Sequence, residues 1–197
     1  MSYGPAALFY NPAPTSIPGQ PETFRYYGFM DLTTGGVEDL GLVTGDDGIT
    51  WDLAYPTAII PRGTGGSWDD TYISFCSIWH PSPTNKTEWG MFFSGGTLTS
   101  VDGPSDGIGF AYAQNLLSWT KHSANPVFTN GSGNWLNRCY TPCIVLTTDS
   151  LGRTQLRLYY TGDGAAGRFV YVAEEELHWM EKATTSADTD NQGLRLP

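Results

Sequence analysis

Basic residues are scarce in this chain. Ten Lys and Arg stand against 20 Asp and Glu, for a formal net charge of −10, and before Pro61 only Arg25 opposes seven acids. So few cations leave phosphate backbones and anionic headgroups unattracted, which excludes nucleic acid and membrane surfaces as partners. No apolar run approaches the roughly 20 residues of a membrane-spanning helix. The opening stretch, MSYGPAALFYNPAP, has neither the basic region nor the apolar region of a secretory signal. The expectation is a protein that is cytoplasmic when made, staying there or leaving by another route such as virion assembly and lysis.

Cysteine and histidine are also few, three of each. Three thiols cannot all pair within one chain. Cys139 and Cys143 are four apart on an expected strand, roughly 13 Å at about 3.3 Å per residue, too far for a disulfide. There is no CxxC pair, and His80, His122 and His178 are widely separated. Neither a metal site nor any other cofactor is expected, and the thiols read as reduced, buried side chains.

What the chain has is glycine, proline and aromatic rings. The 24 Gly and 13 Pro supply many turns, while a 14% aromatic content argues against disorder. Turns and aromatics together indicate an all-β fold. At 197 residues the chain suits one domain, or one unit of something larger, with a real core.

The most informative stretch is TGDDGITW, Thr44 to Trp51. Asp-Asp-Gly is a tight-turn signal, because Gly reaches positive φ cheaply and an Asp side chain can bond the turn's own amides. Gly41 to Val43 lead in as a strand and Ile49 to Trp51 lead out. Further strands are expected at Phe24–Met30, Ala6–Asn11, Thr71–Trp79, Trp89–Ser94, Gly109–Ala113, Arg138–Leu146, Leu156–Thr161 and Arg168–Ala173. The run Thr71–Trp79 reads as buried on both faces.

These strands recur at a fixed spacing. Trp68 and Trp135 end equivalent Gly-rich links 67 residues apart, and Phe92-Phe93 and Tyr159-Tyr160 show the same offset, each pair followed by Ser or Thr and then Gly. Cys76 and Cys143 repeat it, Trp51 and Trp119 are 68 apart, and Tyr26-Tyr27 lies about one period before Phe92-Phe93. A period of this length with four short strands per repeat indicates propeller blades. The expected division is an N-terminal segment 1–22 holding a first inner strand, blades at 23–61, 62–129 and 130–182, and a polar tail at 183–197. Three blades rarely close a ring, so the chain is expected to belong to a larger or oligomeric propeller, with other subunits or self-association covering the open faces.

TGDDGITW resembles the Asp-box of sialidase-type propellers, with Thr44, Asp46, Gly48, Thr50 and Trp51 at its fixed positions. The surrounding elements FFSGG, IGFAYA, LLSW and NPVF are similar to the repeats of five-bladed glycoside-hydrolase propellers (arabinanases, invertases, levansucrases and mannoside phosphorylases). The resemblance covers most of residues 20 to 182. It implies that the Asp-box is a structural turn, Asp46 holding it and Trp51 packing beneath. It also implies catalytic acids near the starts of the inner strands of the first three blades. Asp69 and Asp70 stand at that place in the second blade, but the first has no acid before Glu22, and the third begins Asn137-Arg138 with none until Asp149. Glycoside hydrolysis needs two placed carboxylates, so no residue is assigned as catalytic.

Asp69, Asp70, Asn137 and Arg138 are therefore candidates for binding sugar hydroxyls across the central mouth, or else solvated residues at strand starts. Glu174 to Glu176 read as a solvated acidic run. The leading functional expectation is a non-catalytic carbohydrate-binding protein on a glycosidase-like propeller, a component of a virion or surface assembly. An active glycoside hydrolase and a purely structural assembly protein are the alternatives.

Overall fold

The computed structural model describes residues 5–10, 26–34, 36–54, 57–79, 89–97, 107–129, 138–148, 150–152, 154–164 and 167–176. Among them there is no helix. The strands are β1 (Pro5–Tyr10), β2 (Tyr26–Thr34), β3 (Val37–Gly45), β4 (Asp52–Leu53), β5 (Tyr72–Trp79), β6 (Trp89–Gly96), β7 (Gly107–Asn115), β8 (Ser118–Lys121), β9 (Phe128–Thr129), β10 (Arg138–Thr148), β11 (Thr154–Gly164) and β12 (Gly167–Glu176).

They fall into three antiparallel meanders. The first is β1-β2-β3 with β4 on β3, the second is β5-β6-β7-β8 with β9 also on β7, and the third is β10-β11-β12. One parallel bridge, Glu38 to Tyr72, joins the first to the second. The expected strands are present as far as they are described, though the outgoing arm of the TGDDGITW turn is Asp52–Leu53 rather than Ile49–Trp51. The acidic run Glu174 to Glu176 forms the end of β12, and residues 177–197 are outside the described residues.

The meanders stack face to face, and each junction holds a separate core. Tyr27, Phe29 and Leu42 of the first unit meet Ile73, Met91 and Phe93 of the second. Phe92, Ile108 and Phe110 of the second meet Leu156, Leu158 and Tyr160 of the third. Strand alternation sends successive side chains to opposite faces, which explains the doubled aromatics. Phe93 faces back to the first unit and Phe92 forward to the third, so a strand covered on both sides needs a large apolar group at each position. Tyr160, one period beyond Phe93, likewise faces back, leaving Tyr159 to face forward. Phe92 and Phe93 are at most 1% exposed, and burying rings of this size stabilises the fold by about 2–3 kcal/mol each.

The inner strands β1, β5 and β10 lie side by side, and each is bulged. The ladders shift register at Pro5/Ala7, Ser74/Cys76 and Tyr140/Cys143. Two bulges carry non-glycine residues in the left-handed region, Phe75 at φ 35° and Thr141 at φ 51°. Such backbone is strained for residues with a Cβ. The bulge turns Phe75 outward, 43% exposed, so β5 is not buried on both faces along its whole length, as its composition suggests.

Candidate functional site

The link between the first and second units, residues 61–71, is tied down at several points. The Arg62 amide and guanidinium both donate to Asp39, at 2.7 and 2.6 Å. The Gly63 amide donates to the Asp69 carbonyl at 3.1 Å. Trp68 then stacks on Phe93, with centroids 5.9 Å apart and planes at 28°. A ring anchored in the junction fixes the two carboxylates that follow it.

Those carboxylates have different surroundings. The Asp69 side chain is 4% exposed; Lys121 of β8 donates to its Oδ2 at 2.6 Å, and the Ser67 hydroxyl donates to its Oδ1 at 3.1 Å. Asp70 is half-buried, accepting from the Gly66 amide at 2.8 Å and from the Thr71 hydroxyl at 3.1 Å. Both oxygens of Asp69 are thus engaged, Oδ2 by Lys121 and Oδ1 by Ser67. Asp70 is the more accessible of the pair. Arg138 begins β10 opposite Asp163. Its side chain, and Asn137 altogether, lie outside the described residues.

The TGDDGITW turn is built as a turn, but by the other carboxylate. Asp47 Oδ1 accepts from the amides of Ile49 and Thr50 at 2.8 and 2.7 Å, and its Oδ2 from the Thr50 hydroxyl at 3.1 Å. These bonds, led by the Thr50 amide, hold the Asp47 carboxyl below the usual carboxylate range. Gly48 takes φ 74°, and with that backbone it is the residue directly before Gly48, not Asp46, whose side chain reaches the following amides. Asp46 is exposed. Thr44 is buried, and Trp51 meets Tyr26 edge to face at 6.3 Å. Asp47→Ala is expected to lower the melting temperature measurably and Asp46→Ala to leave it unchanged; equal melting of the two variants would refute this assignment. Asp46, Asp47 and Gly48 are exposed at the tip of this hairpin.

Asp31 on β2 is a feature that motif reading passed over. It is 8% exposed, and its Oδ2 accepts from the Ser74 hydroxyl at 2.9 Å. Its Oδ1 is buried without a hydrogen-bond partner. Burial pushes its carboxyl up to about 6; Ser74 pulls against that, the charge of Glu38 adds to it, and the Phe75 amide pulls back. The next junction repeats the arrangement with an uncharged group, the Thr141 amide donating to Ser94 Oγ at 2.9 Å. In both junctions a polar side chain on the second strand of one unit bonds a group at the bulge of the next, the Ser74 hydroxyl in one and the Thr141 amide in the other. The repeat spacing does not single Asp31 out: Ser94 and Thr161 stand 67 residues apart, whereas Asp31 lies 63 before Ser94.

The thiols differ from expectation in one respect. Cys76 and Cys139 are buried, but Cys143 is exposed, because β10 presents it on the face turned away from the second unit. Among the described residues no group of three or more His, Cys, Asp or Glu is placed to hold a metal ion.

No protein-family model matches the sequence, and no match is found among curated proteins. Solved structures do match. A thermostable family-43 glycoside hydrolase superposes with a TM-score of 0.58 at 13% identity over 88% of this chain and 55% of that one. A GH32 β-fructofuranosidase of Bombyx mori gives 0.55 at 16% identity, over 76% and 30%. Fructan 1-exohydrolase IIa of Cichorium intybus gives 0.55 at 19%, over 76% and 27%. These are propeller folds of glycoside hydrolases, and at this level of identity the likeness is one of fold. The chain spans between about a quarter and just over half the length of these structures.

Proposed function

We propose that this chain is a non-catalytic carbohydrate-recognition protein on a glycosidase-like propeller, acting within a virion or surface assembly. The observation that carries this reading is the state of Asp69. On a fold shared with glycoside hydrolases, the carboxylate in the expected catalytic place is closed off by Lys121 and Ser67. A group that protonates a leaving oxygen or activates water must reach the scissile bond, and this one is turned into the junction. Asp70, with Asn137 and Arg138, remains to bind sugar hydroxyls as acceptor and donors.

The test is a glycan array with the purified chain. Binding that falls at least tenfold in Asp70→Ala, with the circular dichroism unchanged, supports recognition at this place. An active hydrolase is the second reading, favoured by the fold likeness. Turnover of aryl glycosides that disappears in Asp70→Asn would replace the first reading with it. Neither binding nor turnover across a broad panel leaves a purely structural assembly role.

A further inference from the structure

The two internal junctions are successive instances of one contact. In each, the forward face of one meander lies on the back face of the next, and a polar group on the second strand meets the bulge of the following inner strand. Asp31 meets Ser74, and Ser94 meets the Thr141 amide. The contact has two unlike halves, and among the described residues the row of three units leaves one of each uncovered. The unused back half is on the first unit. There Leu8, Gly28, Val43 and Trp51 converge, a Cβ on Gly28 falling 2.6 Å from Leu8 Cδ2 and 2.9 Å from Val43 Cγ2. Leu53 pairs with Val43 on the same face, and Leu8 and Leu53 are 59% and 46% exposed. The unused forward half is on the third unit, where Cys143 pairs with Tyr159, Val145 with Arg157, and Val170 with Thr161. Val145 and Val170 are 40% and 72% exposed.

We propose that these two faces bind each other between copies of the chain, so that two chains dock head to tail at both ends and form a twofold-symmetric propeller of six units. The occupant follows from the internal junctions: what covers a forward face in this molecule is the back face of another such unit. The number follows from closure. Propellers typically close with about four to eight blades, and multiples of three within that range admit only two chains. Unlike halves that close in this way give a ring rather than a filament. This partner does not depend on the carbohydrate reading.

Light scattering on the purified chain at near-physiological salt should give twice the 21.5 kDa of one chain; a monomer at tens of micromolar overturns the proposal. Leu8→Arg on the back face and Val170→Glu on the forward face should each weaken association at least tenfold. An equimolar mixture of the two variants should regain a dimer, because one junction is then unaltered and the other sets Arg against Glu. Singles that dimerise like the wild type, or a mixture that stays monomeric, overturn the head-to-tail arrangement. Should either variant fail to fold, Cys143 reports on the unaltered protein: its alkylation should be slow in concentrated solution and quicken on dilution, and a rate independent of concentration also overturns it.

Discussion

Replacing Asp31 with Asn should stabilise the protein by about 2 kcal/mol near neutral pH, an unusual direction for a substitution in a core. The buried carboxyl titrates at about 6 against an ordinary value of 3.8, and each tenfold weakening of an acid corresponds to about 1.4 kcal/mol. Ionised Asp31 therefore costs about 3 kcal/mol. An amide avoids that cost, and leaving one of its buried polar atoms unpartnered returns about 1 kcal/mol of it. The sign of the pH dependence is set by proton counts. Between 3.8 and about 6 the folded state binds more protons at this site than the unfolded chain, so stability falls as pH rises. The contribution is complete below the unfolded value and is lost as pH passes the folded one. Urea unfolding at a series of pH values should show this decline in the wild type and its absence in Asp31→Asn. Asp47 is displaced in the opposite direction, and its effect belongs to the acid side of that window, where stability falls as pH falls. A wild-type stability that is flat between pH 4 and 7, or an Asn variant that melts earlier at neutral pH, would show that Asp31 is solvated in a way its burial does not allow.

Lys121→Met should lower stability by about 3 kcal/mol. It leaves the Asp69 carboxylate 4% exposed with Ser67 alone beside it, and removing one member of a buried ion pair costs about 3–5 kcal/mol. The lower end applies because Lys121 is itself 27% exposed. The double variant Asp69→Asn with Lys121→Met should recover most of the loss, since no uncompensated charge remains. The four-protein cycle, measured by urea unfolding, gives the coupling directly. Additive losses would mean that the two side chains act independently and that the link holds Asp69 by other means.

How far such behaviour was legible beforehand differs from residue to residue. The strands were legible because aromatic and β-branched runs such as TYISFCSIW and WGMFFS fit a pleated, covered surface and little else. The stacking was legible in Phe92-Phe93 and Tyr159-Tyr160, since paired rings on one strand require cover on two sides. The choice between Asp46 and Asp47 was not, because adjacent carboxylates before a glycine look alike until the backbone angles are known. The bulges were not either: Phe75 and Thr141 take left-handed angles that their own side chains oppose, so tertiary contacts impose them. The Asp69–Lys121 pair joins residues 52 apart in the chain, a separation at which many basic residues are equal candidates. Asp31 was not legible either: it stands 63 residues before Ser94 rather than a full period, and a lone acid on a strand reads as a surface residue until its burial is seen.

The single backbone bridge between β3 and β5 has a consequence for how such a protein can change over generations. Among the described residues, Glu38 and Tyr72 are the one pair by which the first unit's ladder touches the second's, and the third unit's strands form a sheet of their own. Cohesion between units thus rests on side-chain packing and a few polar clasps. A recombination event falling in a connecting link could add, delete or exchange a whole unit while leaving every antiparallel ladder intact. Descendants would then have to conserve only the two unlike faces of each unit.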